Sequence, residues 1–288
     1  MNNIVLGIDI GGTSLKIGLV ENNVIVKQAF KIVDSKSTEQ ETLFSLFEAI
    51  DSVINSDVTA IGIGVPAVVD PITGVIYDVQ NIPSWKEVAL KDIVKQRYNL
   101  PVYLNNDANC FALGEKIFGK GKDFENFIGL SIGTGIGMGI IINNYLYNGI
   151  LCGAGEVGML NYKDGTMEDY SSSFFFTKNY RQSAEELSLS AAKGNEKALQ
   201  AYAEFGFHLG ECIKNILYMY APEAIILGGS ISKSFSLFKE SMELSLKTFA
   251  YQKQIEDLVI ETSNKEGIAI LGAASLCFQD IEKRYLSK

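Results

Sequence analysis

The chain has 288 residues, 47% of them hydrophobic, enough for one large domain or two of ordinary size. Its formal net charge of −9, with no run rich in Lys or Arg, argues against a nucleic-acid or membrane-surface partner. Cys110, Cys152, Cys212 and Cys277 are scattered and form no CxxC pair, so neither a disulfide framework nor a zinc site is indicated. No signal peptide is read at the start and no apolar stretch is long enough to span a bilayer, so a cytoplasmic protein is expected.

The first predicted element is a hairpin. Leu6-Gly7-Ile8-Asp9-Ile10 alternates like a strand, turns through Gly11-Gly12-Thr13 and resumes with Lys16-Ile17-Gly18-Leu19-Val20. Glycines at strand ends let the backbone approach a ligand and aim several N–H groups at one point, as a phosphate cradle requires. Thr13 adds a hydroxyl, Lys16 a cation, and Asp9 a carboxylate able to hold magnesium through water. A third extended run covers 24–33 and is followed by a polar break. Leu43, Leu46, Phe47 and Ile50 have the spacing of a helix over 39–55, and 59–65 reads as a buried strand ending at Pro66. A helix over 87–98 and a strand over 101–104 continue the alternation of an α/β domain.

That strand delivers Asn105-Asn106-Asp107 to a loop, with a helix predicted over 108–118. Asp107 has two readings there: a cap for the helix, which spacing alone favours, or a general base for a hydroxyl attacking phosphorus. A second hairpin then repeats the first. Ile128-Gly129-Leu130-Ser131-Ile132 turns through Gly133-Thr134-Gly135 and resumes with Gly139-Ile140-Ile141-Ile142, Thr134 standing where Thr13 stands. Two such hairpins suggest two related halves facing each other across a cleft.

Gly153-Ala154-Gly155-Glu156-Val157-Gly158 matches GxGxxG. No clear helix follows it, however, and Glu156 would repel a pyrophosphate, so a carboxylate flanked by glycines suits hydroxyl groups better. Glu168 is a further candidate of this kind. The rest is more helical: two helices within 185–220 broken at Gly194-Asn195, a strand over 224–227 ending in Gly228-Gly229, a helix over 234–246, a strand over 258–262 and a last helix over 268–285. Gly228 and Gly229 could lie against a nucleobase or ribose. The single histidine, His208, reads as structural, which leaves Ser/His/Asp chemistry without a base, and there is no GxxxxGK[ST] loop.

Asp9-Ile10-Gly11-Gly12-Thr13, Asn106-Asp107-Ala108-Asn109, Gly133-Thr134-Gly135-Ile136-Gly137, Gly155-Glu156-Val157-Gly158 and Leu227-Gly228-Gly229, in this order, resemble the ROK family of sugar kinases and repressors. The resemblance covers nearly the whole chain. It implies an α/β, two-domain actin-like ATPase (ribonuclease H-like) fold with an interdomain cleft. The expected halves are 1–112 and 113–274, the first completed by a helix over 275–288. ATP and magnesium would occupy the cleft, with the γ-phosphoryl group passing to a sugar hydroxyl, commonly that on C6 of a hexose or N-acetylhexosamine. Asp107 matches the catalytic base, and Asn81, Asn106, Glu156 and Glu168 fall at sugar-binding places. Gly11, Gly12, Thr13, Gly133, Thr134 and Gly135 match the phosphate turns.

A homodimer is the family expectation. Family repressors carry an N-terminal winged helix, and the first hairpin begins here almost at residue 1, which favours a kinase over a sugar- or nucleotide-binding regulator. Two departures stand out. Met159 replaces the usual His and the CxCGxxGC zinc segment is missing, which resembles a zinc-less branch similar to some bacterial N-acetylmannosamine kinases; no structural zinc is expected. Gly64-Val65-Pro66-Ala67 replaces Gly-x-Pro-Gly.

Overall fold

The computed structural model describes residues 4–278, apart from 12, 35, 80 and 81. In the first half, strands β1 (Ile4–Ile10), β2 (Ser14–Glu21) and β3 (Val24–Ile32) form an antiparallel meander. Helix α1 (Glu39–Asp51) leads into β4 (Ala60–Val65), which is parallel to β1. Thr38 starts α1 through a capping box with Glu41.

Short strands β5 (Val68–Val69), β6 (Ile76–Tyr77) and β7 (Glu87–Val88) make a side sheet. Helix α2 (Leu90–Tyr98) therefore starts three residues later than the predicted 87, because Glu87 and Val88 pair with Tyr77 and Ile76 instead. Strand β8 (Val102–Asn106) completes a five-stranded sheet in the order β3-β2-β1-β4-β8 and runs straight into α3 (Asp107–Phe118).

The second half repeats the hairpin as β9 (Phe127–Ile132) and β10 (Ile136–Ile142), edged by β11 (Tyr145–Leu146). A small hairpin of β12 (Asn161–Tyr162) and β13 (Gly165–Thr166) precedes helices α4 (Met167–Ser171), α5 (Ser173–Tyr180), α6 (Ala184–Ala191) and α7 (Glu196–Tyr220). The predicted break at Gly194-Asn195 falls between α6 and α7, where Asn195 caps α7. Strand β14 (Ala224–Gly228), helices α8 (Phe235–Leu246) and α9 (Gln252–Asp257), and β15 (Val259–Thr262) complete a second sheet in the order β11-β10-β9-β14-β15. Helix α10 (Ile268–Ser275) follows and continues as a 3-10 turn to Phe278; the rest of the predicted last helix lies outside the described residues. Among the described residues no helix is long and apolar enough to cross a membrane.

Alternation along β1 explains how the sheets meet. Leu6, Ile8 and Ile10 point into one large core with Leu46, Ile50 and Trp85. Val5 and Gly7 face α10: Val5 packs with Ile270 and Ala274, while Gly7 and Gly62, neighbours in register, leave no room for a methyl beside the Ile270 and Ala273 carbonyls. On the far side, Phe175, Phe176, Tyr202, Phe205 and Phe238 fill a second core beneath the other sheet. Helix α3 is the shared wall. Cys110 lies against Gly64 of the first sheet, and Ala108 and Ala112 lie against Gly129 and Gly139 of the second. The predicted domain boundary after residue 112 thus falls inside a helix that both sheets use.

Candidate active site

The first turn is shaped by its own backbone: Gly11 N–H donates to Ser14 O at 2.8 Å, and Val33 N–H to Thr13 O at 3.0 Å. Asp9 and Lys16 stand opposite each other in the β1–β2 register, and the ammonium meets Asp9 Oδ2 at 3.1 Å. Thr13 is exposed. Gly12 and Asn81, both expected at the site, lie outside the described residues.

The strand–helix junction corrects one expectation. Asn106, not Asp107, is the cap: its side-chain oxygen accepts from Ala108 N at 2.9 Å and Asn109 N at 3.3 Å. Asp107 is the first helical residue, and its Oδ1 also accepts from Ala108 N at 2.9 Å. Loss of water around this carboxyl, then repulsion from Asp9 and more weakly from Glu156, outweighs those amides and pushes its pKa up to about 7. Asn106 Nδ2 reaches Ala67 O at 3.4 Å, which ties the cap to the strand loop beside it.

The second turn closes through Gly133 N–H to Gly135 O at 2.9 Å. Ser173, at the start of α5, grips it from outside: its N–H donates to Gly133 O at 2.9 Å and its hydroxyl to Thr134 O at 3.1 Å. Glu168 Oε2 accepts from Ile136 N at 3.0 Å. Partial loss of water and repulsion by Glu168 raise the Glu156 pKa. Loss of water raises that of Glu168, against the Ile136 N–H bond and with help from Asp169. Asp9 and Glu156 both act on Asp107, and Glu168 acts on Glu156, so the four carboxylates form a chain of electrostatic neighbours.

Gly228 and Gly229 part company. Gly228 is buried in β14 with the Phe111 ring where a side chain would stand. Gly229 is exposed at φ +83, a backbone that L side chains rarely adopt, and a Cβ there would strike Ile132 O. Ser230 follows it, its hydroxyl 3.7 Å from the place of a Cβ on Gly133. The strand end at Gly229-Ser230 thus adjoins the second turn, while Gly228 supports it from inside.

A family model for the ROK family matches residues 5–280. The chain belongs to the ROK family. It is 32% identical over 269 residues to the xylose repressor of Bacillus subtilis, covering 86% of this chain and 70% of that one. It is 31% identical over 296 residues to the beta-glucoside kinase of Listeria monocytogenes, covering 96% and 98%. Among solved structures, a ROK family glucokinase from Streptomyces griseus in complex with glucose and AMPPNP matches at a TM-score of 0.84 and 25% identity, over 95% of this chain and 99% of that one. The fold is the actin-like ATPase fold of ROK kinases.

Several supports of this ROK site escape sequence reasoning. Asn105 Nδ2 donates to Asn148 Oδ1 at 3.0 Å, and Asn109 Nδ2 donates to Asn105 Oδ1 at 3.0 Å and Cys152 O at 3.4 Å. This amide cluster fastens the loop after the second hairpin to the strand–helix junction that presents Asp107. Asn105 and Asn109 flank the Asn106-Asp107 pair, but nothing local links them to Asn148. Ser173 carries no local signal at all. His208, read as structural, is buried: Nδ1 meets Tyr162 Oη at 3.0 Å and Nε2 meets Lys163 Nζ at 3.4 Å. An ammonium can only donate, so Nε2 accepts and Nδ1 carries the proton given to Tyr162.

Proposed function

We propose that this ROK protein is an ATP-dependent sugar kinase transferring the γ-phosphoryl group to a hydroxyl, that on C6 being the leading candidate, of a hexose or N-acetylhexosamine. The observation that carries the reading is Asp107. It opens α3 between the two glycine hairpins, with a pKa near 7 set by burial and by the Asp9 and Glu156 charges. A carboxyl poised near neutrality is suited to taking a proton from an alcohol as phosphoryl transfer proceeds.

In this mechanism the sugar is oriented by Asn81, Asn106, Glu156 and Glu168, whose carboxylates and amides match hydroxyl groups. ATP phosphates lie on the turns at Gly11–Thr13 and Gly133–Gly135, with Lys16 beside them and Gly229 toward the nucleoside. Asp107 holds the reacting hydroxyl and accepts its proton. The hydroxyl oxygen then forms a bond to the γ-phosphorus while the bond from that phosphorus to the β,γ-bridging oxygen breaks, and ADP leaves. Positioning and charge stabilisation supply most of the acceleration.

Magnesium fits the donor set. Asp9 is 9% exposed, offers hard oxygen ligands and lies close enough to Asp107 to raise its pKa, and Mg²⁺ commonly uses one or two carboxylates together with substrate phosphates. When bound, it would neutralise phosphate charge.

A second reading is a sugar- or nucleotide-binding regulator without chemistry. Similarity to a protein named xylose repressor favours it, while the position and environment of Asp107 favour the kinase. The experiment is MgATP-dependent ADP release with glucose, mannose, fructose, N-acetylglucosamine, N-acetylmannosamine and a β-glucoside such as cellobiose, run beside Asp107→Asn. Sugar-stimulated release that disappears in the variant is the expected result. Silence across the panel from folded protein would favour the regulator.

A further inference from the structure

We propose that Glu168 also clamps the Gly133–Gly135 turn, so that the sugar on one carboxylate oxygen and the nucleotide on the turn bind interdependently. This rests on the reading of the protein as a kinase, in which the turn takes phosphate and Glu168 takes sugar.

Three observations carry it. Glu168 Oε2 accepts from Ile136 N, the first amide after the turn, at 3.0 Å. The same oxygen fills the space where Gly135 would bear a Cβ, so the carboxylate and the glycine are in direct contact. Oε1 has no hydrogen-bond partner among the described residues and is free for a ligand. The backbone that presents Glu168 is itself held firmly. Thr166 and Asp169 form a capping box at the start of α4, and Ser172 Oγ donates to Glu168 O at 2.7 Å. The next residue, Ser173, binds the two turn carbonyls. One short segment therefore holds the turn by its amide and its carbonyls.

The sign of the coupling follows from the chemistry. Hydroxyl donors on Oε1 favour the ionised carboxylate, and an ionised Oε2 is the stronger acceptor for Ile136 N–H. Sugar binding then steadies the turn, and by reciprocity nucleotide binding favours the sugar. Among the described residues of the first turn, Gly11 and Thr13 make no hydrogen bond with Glu168, so the coupling is assigned to the second hairpin.

Calorimetric titration of MgADP into the wild type, Glu168→Ala, Glu168→Gln and Gly135→Ala, without sugar, reads the clamp. KM for the sugar turned over fastest in the panel reads the other half. Glu168→Ala and Gly135→Ala should each weaken MgADP by about fivefold or more and raise the sugar KM. Glu168→Gln retains an amide oxygen for Ile136 N–H and should return MgADP affinity to within about threefold of wild type while the sugar KM stays high. MgADP affinity in Glu168→Ala within about twofold of wild type, with a raised sugar KM, overturns the clamp and leaves the sugar assignment standing. Weakened MgADP with an unchanged sugar KM removes Glu168 from the sugar site and overturns the coupling. No MgADP binding to the wild type would overturn the nucleotide reading itself.

Discussion

The two glycine hairpins solve one problem in different ways. The first contains its own charges: Asp9 and Lys16 face each other in the β1–β2 register and pair at 3.1 Å. The second has no charged residue on β9 or β10, and its turn is held by Glu168 and Ser173 from a segment more than thirty residues later. Among the described residues the first turn is held by contacts within its own sheet, whereas the second also depends on tertiary packing of α4 and α5. Asp107 lies between them, on a helix that packs against both sheets.

Removing the group between the hairpins should have the largest effect. Asp107→Asn is expected to lower kcat by roughly 10²–10⁴-fold with a sugar KM within a few fold of wild type, measured by coupled ADP release. The hairpins themselves come next. Lys16→Ala should lower kcat/KM for ATP by about 10-fold or more through loss of a charged partner. Ser173→Ala should lower it by only about 2–5-fold, because the Ser173 N–H still reaches Gly133 O. Equal losses in the two variants would erase the distinction between a self-charged and a borrowed turn.

Packing behind the second turn supplies a smaller effect. Gly228→Ala forces a methyl into the Phe111 ring and should cost about 1–3 kcal/mol in urea denaturation.

The smallest effects are in pH dependence, and the two halves should differ in sign. Asp107 has a folded pKa of about 7, above its ordinary carboxylate value, so its contribution to stability is present at low pH and is lost as pH rises through 7. Asp107→Asn should therefore melt higher than wild type at pH 8 by on the order of a few °C, with the gap narrowing toward pH 4. His208 behaves in the opposite way. Burial, and then Lys163, lower its pKa to about 4, so its contribution is present above the ordinary histidine value and is lost as pH falls toward 4. His208→Gln should flatten the acid side of the melting profile; an unchanged acid side would contradict the buried neutral imidazole.

How far the sequence could be read follows the same division. The hairpins and the long helical tract are legible because period-two alternation, glycine turns and helical spacing are local signals. Non-local pairing is not. Glu87 and Val88 look helical beside Leu90 but pair with Tyr77 and Ile76. Asn106 caps α3 in place of Asp107 because the strand continues two residues further than its apolar run, which places Asn106 at the last extended position. Gly228 reads like part of a ligand turn, yet the Phe111 ring, more than a hundred residues earlier, accounts for it. The Glu168 and Ser173 contacts are of this kind too: each residue is polar and ordinary until the fold brings it to the turn.

The most direct test of the central claim is the pH dependence of kcat/KM for the accepted sugar at saturating MgATP, between pH 5.5 and 8.5. The carboxylate chain around Asp107 predicts an acid limb with an apparent pKa near 7, the ionisation of Asp107 among its charged neighbours. A profile that stays flat down to pH 5.5 would contradict Asp107 as the base.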